Sequence, residues 1–138
     1  MDEDPLAQLI VRPEQVEGEK RALLVKLVLP FAGIDPENNQ IHFKATFDEL
    51  NARQKVLVYL LARLALSALP NSKTLAAVSP KELEAQIKLP GGTIRPKLTQ
   101  LAKEKIIIQS GGGYSASSST LHRAQKELEA VISGLSEN

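Results

Sequence analysis

Apolar residues recur at helical spacing in five stretches of the chain, separated by clusters of turn residues. From Pro13, the positions Val16, Leu23, Leu24, Leu27, Val28 and Phe31 predict a helix over 13–29, with Pro13 at its first position and Pro30 disfavouring its continuation. The run Leu23–Leu29 also alternates well enough to be read as a strand. Gly33 to Gln40 reads as a turn built on Pro36, Asn38 and Asn39, and Ile41-His42-Phe43 as a short strand leaving it. The strongest element runs from Asn51 to about Leu69. Within Val56–Leu69 its only polar side chains are Arg63 and Ser67, with Arg53 near the same stripe. A helix apolar around most of its girth has to be covered on several sides. It is either the centre of the domain or part of a dimer interface.

After Pro70-Asn71 the pattern becomes finer. Leu75-Ala76-Ala77-Val78 suits a brief strand. Ser79-Pro80-Lys81-Glu82 matches a capping box, with Leu83 and Ile87 on the inner face of the short helix it starts. Leu89-Pro90-Gly91-Gly92 breaks that helix. The next has Ile94, Leu98 and Leu101 inward and Arg95, Lys97, Thr99 and Gln100 outward. With Gly92 as its N-cap, Pro96 falls at the fourth helical position and is expected to distort the helix start. The β-branched run Ile106–Ile108, the turn Ser110–Gly113 and Tyr114-Ser115-Ala116 form a hairpin signature. A last helix runs from a Ser118 or Ser119 cap to about Leu135. Its stripe of Leu121, Ala124, Leu128, Val131 and Leu135 has coiled-coil spacing, and Arg123 pairs with Glu127 one turn on.

Charge changes the picture more than composition does. Overall the 138 residues carry a formal net charge of +1. Residues 1–50, however, hold five Lys/Arg against ten Asp/Glu, and residues 51–138 hold twelve against six. Such polarity points to a basic interaction surface on the C-terminal part. Between Lys81 and Ser110, six cations face three acids. The chain has no Cys and only two His, His42 and His122, which excludes disulfide, thiolate-zinc and Cys-nucleophile chemistry. Gly111-Gly112-Gly113 has no following GK[ST], so it is a hairpin turn and not a phosphate loop. Asp35, Glu37, Asp48 and Glu49 match no calcium loop, and Ser115–Ser119 lack a partnered base. The expectation is a protein without cofactor, metal or catalytic site. The acidic N-terminus has no signal-peptide pattern, and no apolar run is long enough to span a bilayer, so the expected compartment is the cytoplasm.

Taken in order, residues 52–116 give a helix, a short strand, a capped helix, a tight turn, an amphipathic helix and a hairpin. This resembles the winged helix-turn-helix family of DNA-binding domains, as in bacterial and archaeal regulators. The matching residues are Val78-Ser79-Pro80-Lys81-Glu82-Leu83, then Leu89-Pro90-Gly91-Gly92-Thr93-Ile94-Arg95-Pro96-Lys97-Leu98, then Leu101 through Ile108. The resemblance covers about half the chain. It implies a mainly α fold with a small β-hairpin wing, carrying extra N-terminal and C-terminal helices. The divisions are a flexible acidic tail over 1–12, a helical extension and turn over 13–50, a winged core over 51–117 and a C-terminal helix over 118–138. It further implies that the helix at 93–104 enters the major groove of double-stranded DNA. Arg95 suits a bidentate contact to guanine and Gln100 one to adenine. Lys88, Lys97, Lys103 and Lys105 suit phosphates, Thr93 a phosphate or thymine methyl, with Thr99 and Tyr114 as further contacts. The expected function is transcriptional regulation or mobile-element DNA binding, as a homodimer built on the C-terminal helix. The bare hairpin and acidic N-terminal half favour a second reading, a winged helix used for protein–protein assembly.

Overall fold

The computed structural model describes residues 5, 13–69, 72 and 74–136; the tail expected over 1–12 lies outside them apart from Pro5. Helix α1 (Pro13–Val28) ends ahead of Pro30, as its sequence requires, and no strand forms over Leu23–Leu29. The carbonyls just beyond it find partners from the following segment. Lys44 Nζ donates to Leu29 O at 2.6 Å, and the Thr46 hydroxyl donates to Pro30 O at 2.5 Å. Strands β1 (Ala32–Asp35) and β2 (Gln40–Phe43) then pair antiparallel, Ile34 opposite Ile41. The expected turn over Gly33–Gln40 is therefore shorter than its composition suggested. Asp35 concentrates it, accepting from the Glu37 and Asn38 amides and from Asn38 Nδ2, while Asn39 takes the left-handed conformation. Phe43 stacks on Phe47 of a 3-10 turn over Ala45–Glu49, closing this hairpin onto the core.

Helix α2 (Ala52–Ser67) is the centre of the molecule. Asn51 and Gln54 form a reciprocal capping box at its start, and Val56 through Ala62 are all buried. Helices α1, α3 (Pro80–Ile87), α4 (Gly91–Lys103) and α5 (Leu121–Ser136) pack against it, as does the first hairpin. The alternative of a dimer interface for this helix is not needed to explain its apolarity. Each complete side chain buried there contributes about 1.5–3 kcal/mol. An exposed ion pair contributes about 0–1 kcal/mol, so burial decides where α2 sits.

Ser79 caps α3 as read, its hydroxyl accepting from the Glu82 amide at 3.1 Å. Only that half of the capping box forms, because the Glu82 carboxylate accepts from Arg63 of α2 at 2.8 Å. Helix α4 starts at Gly91, two residues earlier than expected from 93–104. Pro96 is consequently its sixth residue, inside a continuous helix rather than a break near the start. The helix tolerates it because Pro96 faces solvent, where the freed Gly92 carbonyl meets water. α4 ends in a Schellman motif: Lys105 is left-handed, its amide bonds Ala102 O and that of Ile106 bonds Leu101 O. Ile106 and Ile107 are thereby buried in the turn, and only Ile108 of the β-branched run enters β3 (Ile108–Ser110).

β3 pairs with β4 (Gly113–Ser115) through the two-residue loop Gly111-Gly112, both at positive φ. That is the geometry glycine supplies in a hairpin matching strand twist. The strand expected over Leu75–Val78 reduces to one bridge, in which Val78 and Tyr114 exchange two 2.8 Å backbone hydrogen bonds. Ser117, rather than Ser118 or Ser119, is the N-cap of the 3-10 turn that leads into α5. The stripe of α5 turns inward: Leu121, Ala124 and Leu128 are fully buried in the chain's own core. The architecture is thus mainly helical with a small antiparallel hairpin and added terminal helices, an order compatible with a winged helix arrangement. Among the described residues no helix is long and apolar enough to cross a membrane.

Ser79→Ala removes the one side-chain cap of α3, and the Glu82 amide loses its acceptor. We expect a loss of about 1 kcal/mol, read as a lower thermal midpoint by far-ultraviolet dichroism. An unchanged midpoint would mean that this cap adds nothing to the fold.

Candidate nucleic-acid interface

The inward face of α4 is set by Ile94, Leu98 and Leu101, all buried. At about 100° per residue, the centre of its outward face runs through Gly92, Pro96 and Lys103, with Thr99 to one side and Gln100 to the other. Arg95, Thr99, Gln100 and Lys103 are exposed, whereas Thr93 and Lys97 are half-buried. Arg95 and Lys97 do not share one face. Two residues advance about 200° around the helix, so they stand on opposite flanks of this ridge. The Thr99 hydroxyl donates back to Arg95 O at 3.0 Å, which leaves its methyl group and lone pairs for a partner. Lys88 lies at the left-handed C-cap of α3 and Lys105 just beyond α4, both exposed. Tyr114 is placed differently: its backbone is held by Val78 and its ring packs partly on the core.

Each acid of this region lies beside positive charge within the fold. Glu82 is bonded by Arg63, and Glu104 by Arg53 Nη1 at 2.6 Å. Glu84 lies over the first turn of α4, where a Cβ added at Gly91 would stand 3.0 Å from its Oε2. A carboxylate there suits the positive end of the helix dipole. By contrast, Lys81, Lys88, Arg95, Lys97, Lys103 and Lys105 make no ion pair among the described residues. The six-to-three balance in the sequence therefore leaves unpaired cations on the ridge and both flanks of α4, while the exposed Glu82 and Glu104 have their charges offset by arginines. The exposed residues of the second hairpin, Ile108 to Gly112, include no Lys or Arg.

Arg53 organises this separation, and its role was not evident from periodicity. Its Nε and Nη2 donate to the two Glu127 oxygens at 2.5 and 3.2 Å while Nη1 holds Glu104. The Arg123–Glu127 pair expected on α5 does not form. Glu127 belongs to Arg53 instead, where a fork of parallel hydrogen bonds at a half-buried position outweighs an exposed pair one turn apart. Arg63 does the same at the other end of α2. Its Nε and Nη2 donate to Leu75 O, and its Nη1 reaches both Glu82 and the Tyr59 hydroxyl. Among the described residues no group of His, Asp and Glu could hold a metal ion. No protein-family model, curated protein or solved structure matches this chain.

The hydrogen bond from Arg53 holds the Glu104 carboxyl below its usual value of 4.5. A carboxylate with a lowered pKa in the folded state stabilises it above that value, and the contribution is lost as pH falls through the lowered one. Thermal midpoints of the natural chain should therefore fall more steeply than those of Glu104→Gln between about pH 6 and about pH 3. Parallel profiles would remove the Arg53–Glu104 pair from this account.

Proposed function

We propose that this chain binds double-stranded DNA and reads the major groove with α4. The observation that carries the reading is the set of cations around α4 that make no ion pair among the described residues, Lys103 on its outward ridge and Arg95 and Lys97 on the two flanks, while Glu82 and Glu104 are each held by an arginine. On this reading Gly92 and Pro96 keep the first turns of the ridge slim, so the helix can approach base edges closely. Gln100 is placed to pair with adenine and Arg95 with guanine, while Lys88, Lys97, Lys103 and Lys105 meet phosphates on either side. Thr93, near the helix start, suits a phosphate. The bare second hairpin leaves sequence discrimination to α4, and Tyr114 contributes chiefly to packing. The protein is a cytoplasmic binding factor of the transcription-regulator or mobile-element kind, acting without catalysis or cofactor.

A two-fold homodimer on paired half-sites completes the proposal, because one short helix reads few base pairs. The α5 residues Leu121, Ala124 and Leu128 are committed to the chain's own core. Val25 of α1 and Leu29 just after it, each 57% exposed and lining one groove, are the exposed apolar residues placed side by side for that contact, Leu75 and Ile108 being exposed elsewhere. The same exposed pair, beside a groove of about 240 Å³ lined by α1, β1 and the end of α2, is what favours the second reading, a protein-assembly module.

Arg95→Ala should weaken binding to a preferred site by about 1–3 kcal/mol and relax preference at one base position. Titration of labelled duplexes that vary at single positions reads both effects. An equal loss on every sequence would make Arg95 a phosphate contact, and no loss on any would defeat docking by α4. Light scattering should give about twice the 15.0 kDa chain mass, and Val25→Glu with Leu29→Glu should halve it without unfolding. A monomer in the unsubstituted protein at high concentration would end the dimer proposal.

A further inference from the structure

Beside the end of α4 lies an open cleft of about 690 Å³, bounded by the start of β3 and the start of α5. Its walls include Lys103, Lys105 and Arg123 with Thr99, Gln109 and Ser119, and no carboxylate. Three cations share this space for a definite reason. Glu104 stands between the two lysines in sequence and Glu127 stands one turn after Arg123, so each is the ordinary local partner. Both are drawn to Arg53 of α2 instead. Arg123 is further tied to the spot, its Nη1 donating to Lys105 O at 3.4 Å across α4 and α5. Like charges gathered in this way repel one another until an anion enters between them.

We infer that this cleft holds a phosphate group, supplied by the backbone of the DNA lying on α4. The inference rests on the DNA-binding reading and extends it to α5, adding Arg123 to the interface. Its chemistry favours phosphate: a guanidinium fork for two oxygens, two ammonium groups for charge, and the Gln109 amide and Ser119 hydroxyl at the rim. Its position favours a backbone phosphodiester, because Thr99 and Lys103 belong both to the cleft and to the outward face of α4. Lys105 adds a cation at a left-handed position, φ 62°, where a helix most often ends in glycine.

Two variants of the full chain test it, Arg123→Ala and Lys105→Gly. Glycine adopts the left-handed conformation freely, so Lys105→Gly should keep the thermal midpoint or raise it. Anisotropy titrations of a labelled duplex from about 50 to about 200 mM salt should show each variant binding about five- to tenfold more weakly at low salt. The loss should be equal on preferred and random sequences, and the slope of log affinity against log salt should shrink by about one. Unchanged affinity and slope, with the natural chain still binding duplex, would overturn the inference while leaving docking by α4 standing. If the natural chain binds no duplex, the proposed function fails, and inorganic pyrophosphate followed by amide resonances then decides the cleft alone. Saturable shifts at residues 103–105 and 119–123, lost in Arg123→Ala, would support a phosphate cleft served by free phosphates. An absence of shifts would overturn it.

Discussion

Every residue of α2 from Val56 to Ala62 is buried, nearly two full turns without an outward side. A helix of this kind leaves the rest of the chain one task, to cover it from all directions. The first hairpin, α1, α3, α4 and α5 do so, and the direction in which α4 faces solvent follows from the way Ile94, Leu98 and Leu101 turn towards that core. Burial supplies the energy, while the two arginines of α2 supply the angles. Arg63, with its side chain 13% exposed, holds the α3 start and the segment before it. Arg53, 20% exposed, holds the end of α4 and the middle of α5. A guanidinium so far from water requires partners for its donors, and the partners here are acids, with the Leu75 carbonyl, from the segments it must align.

This arrangement also shapes the surface. An acid paired with an arginine is an acid no longer available to a neighbouring lysine, and Glu82, Glu104 and Glu127 are all used that way. The lysines and arginines beside them in sequence make no ion pair among the described residues. A chain of nearly zero net charge thus shows a locally cationic face, built by pairing rather than by composition. The field such a face exerts is local and screened within about 10 Å at ordinary salt, which suits contact with phosphates more than long-range attraction.

Local signals in the sequence were legible. Pro13, Ser79-Pro80 and Gly111-Gly112 each impose a backbone geometry within a few residues, and each stands where that geometry is needed. The apolar girth of α2 was legible because it is a property of consecutive residues. Short strands were harder: Ala32–Asp35 is held by Ile34 meeting Ile41 and by an aspartate-centred turn, not by any run of its own. The extent of α4 was misjudged because Pro96 reads as a breaker, yet on an exposed face it removes a single bond that water replaces. The candidate contacts on α4 were legible as an outward stripe. What was not legible was which charges would remain unpaired, since Arg53 reaches Glu127 across 74 positions. That contact decides both the missing Arg123–Glu127 pair and the cleft beside α4.

The central claim is that the outward face of α4 is the surface that meets DNA. Mapping amide resonances of the full chain during titration with a short duplex tests it most directly. The account predicts shifts concentrated at residues 92–105, continuing to Lys88 on one side and Arg123 on the other, and reversed by added salt. Shifts confined to the α1 groove around Val25 and Leu29, or no shifts at all, would contradict it.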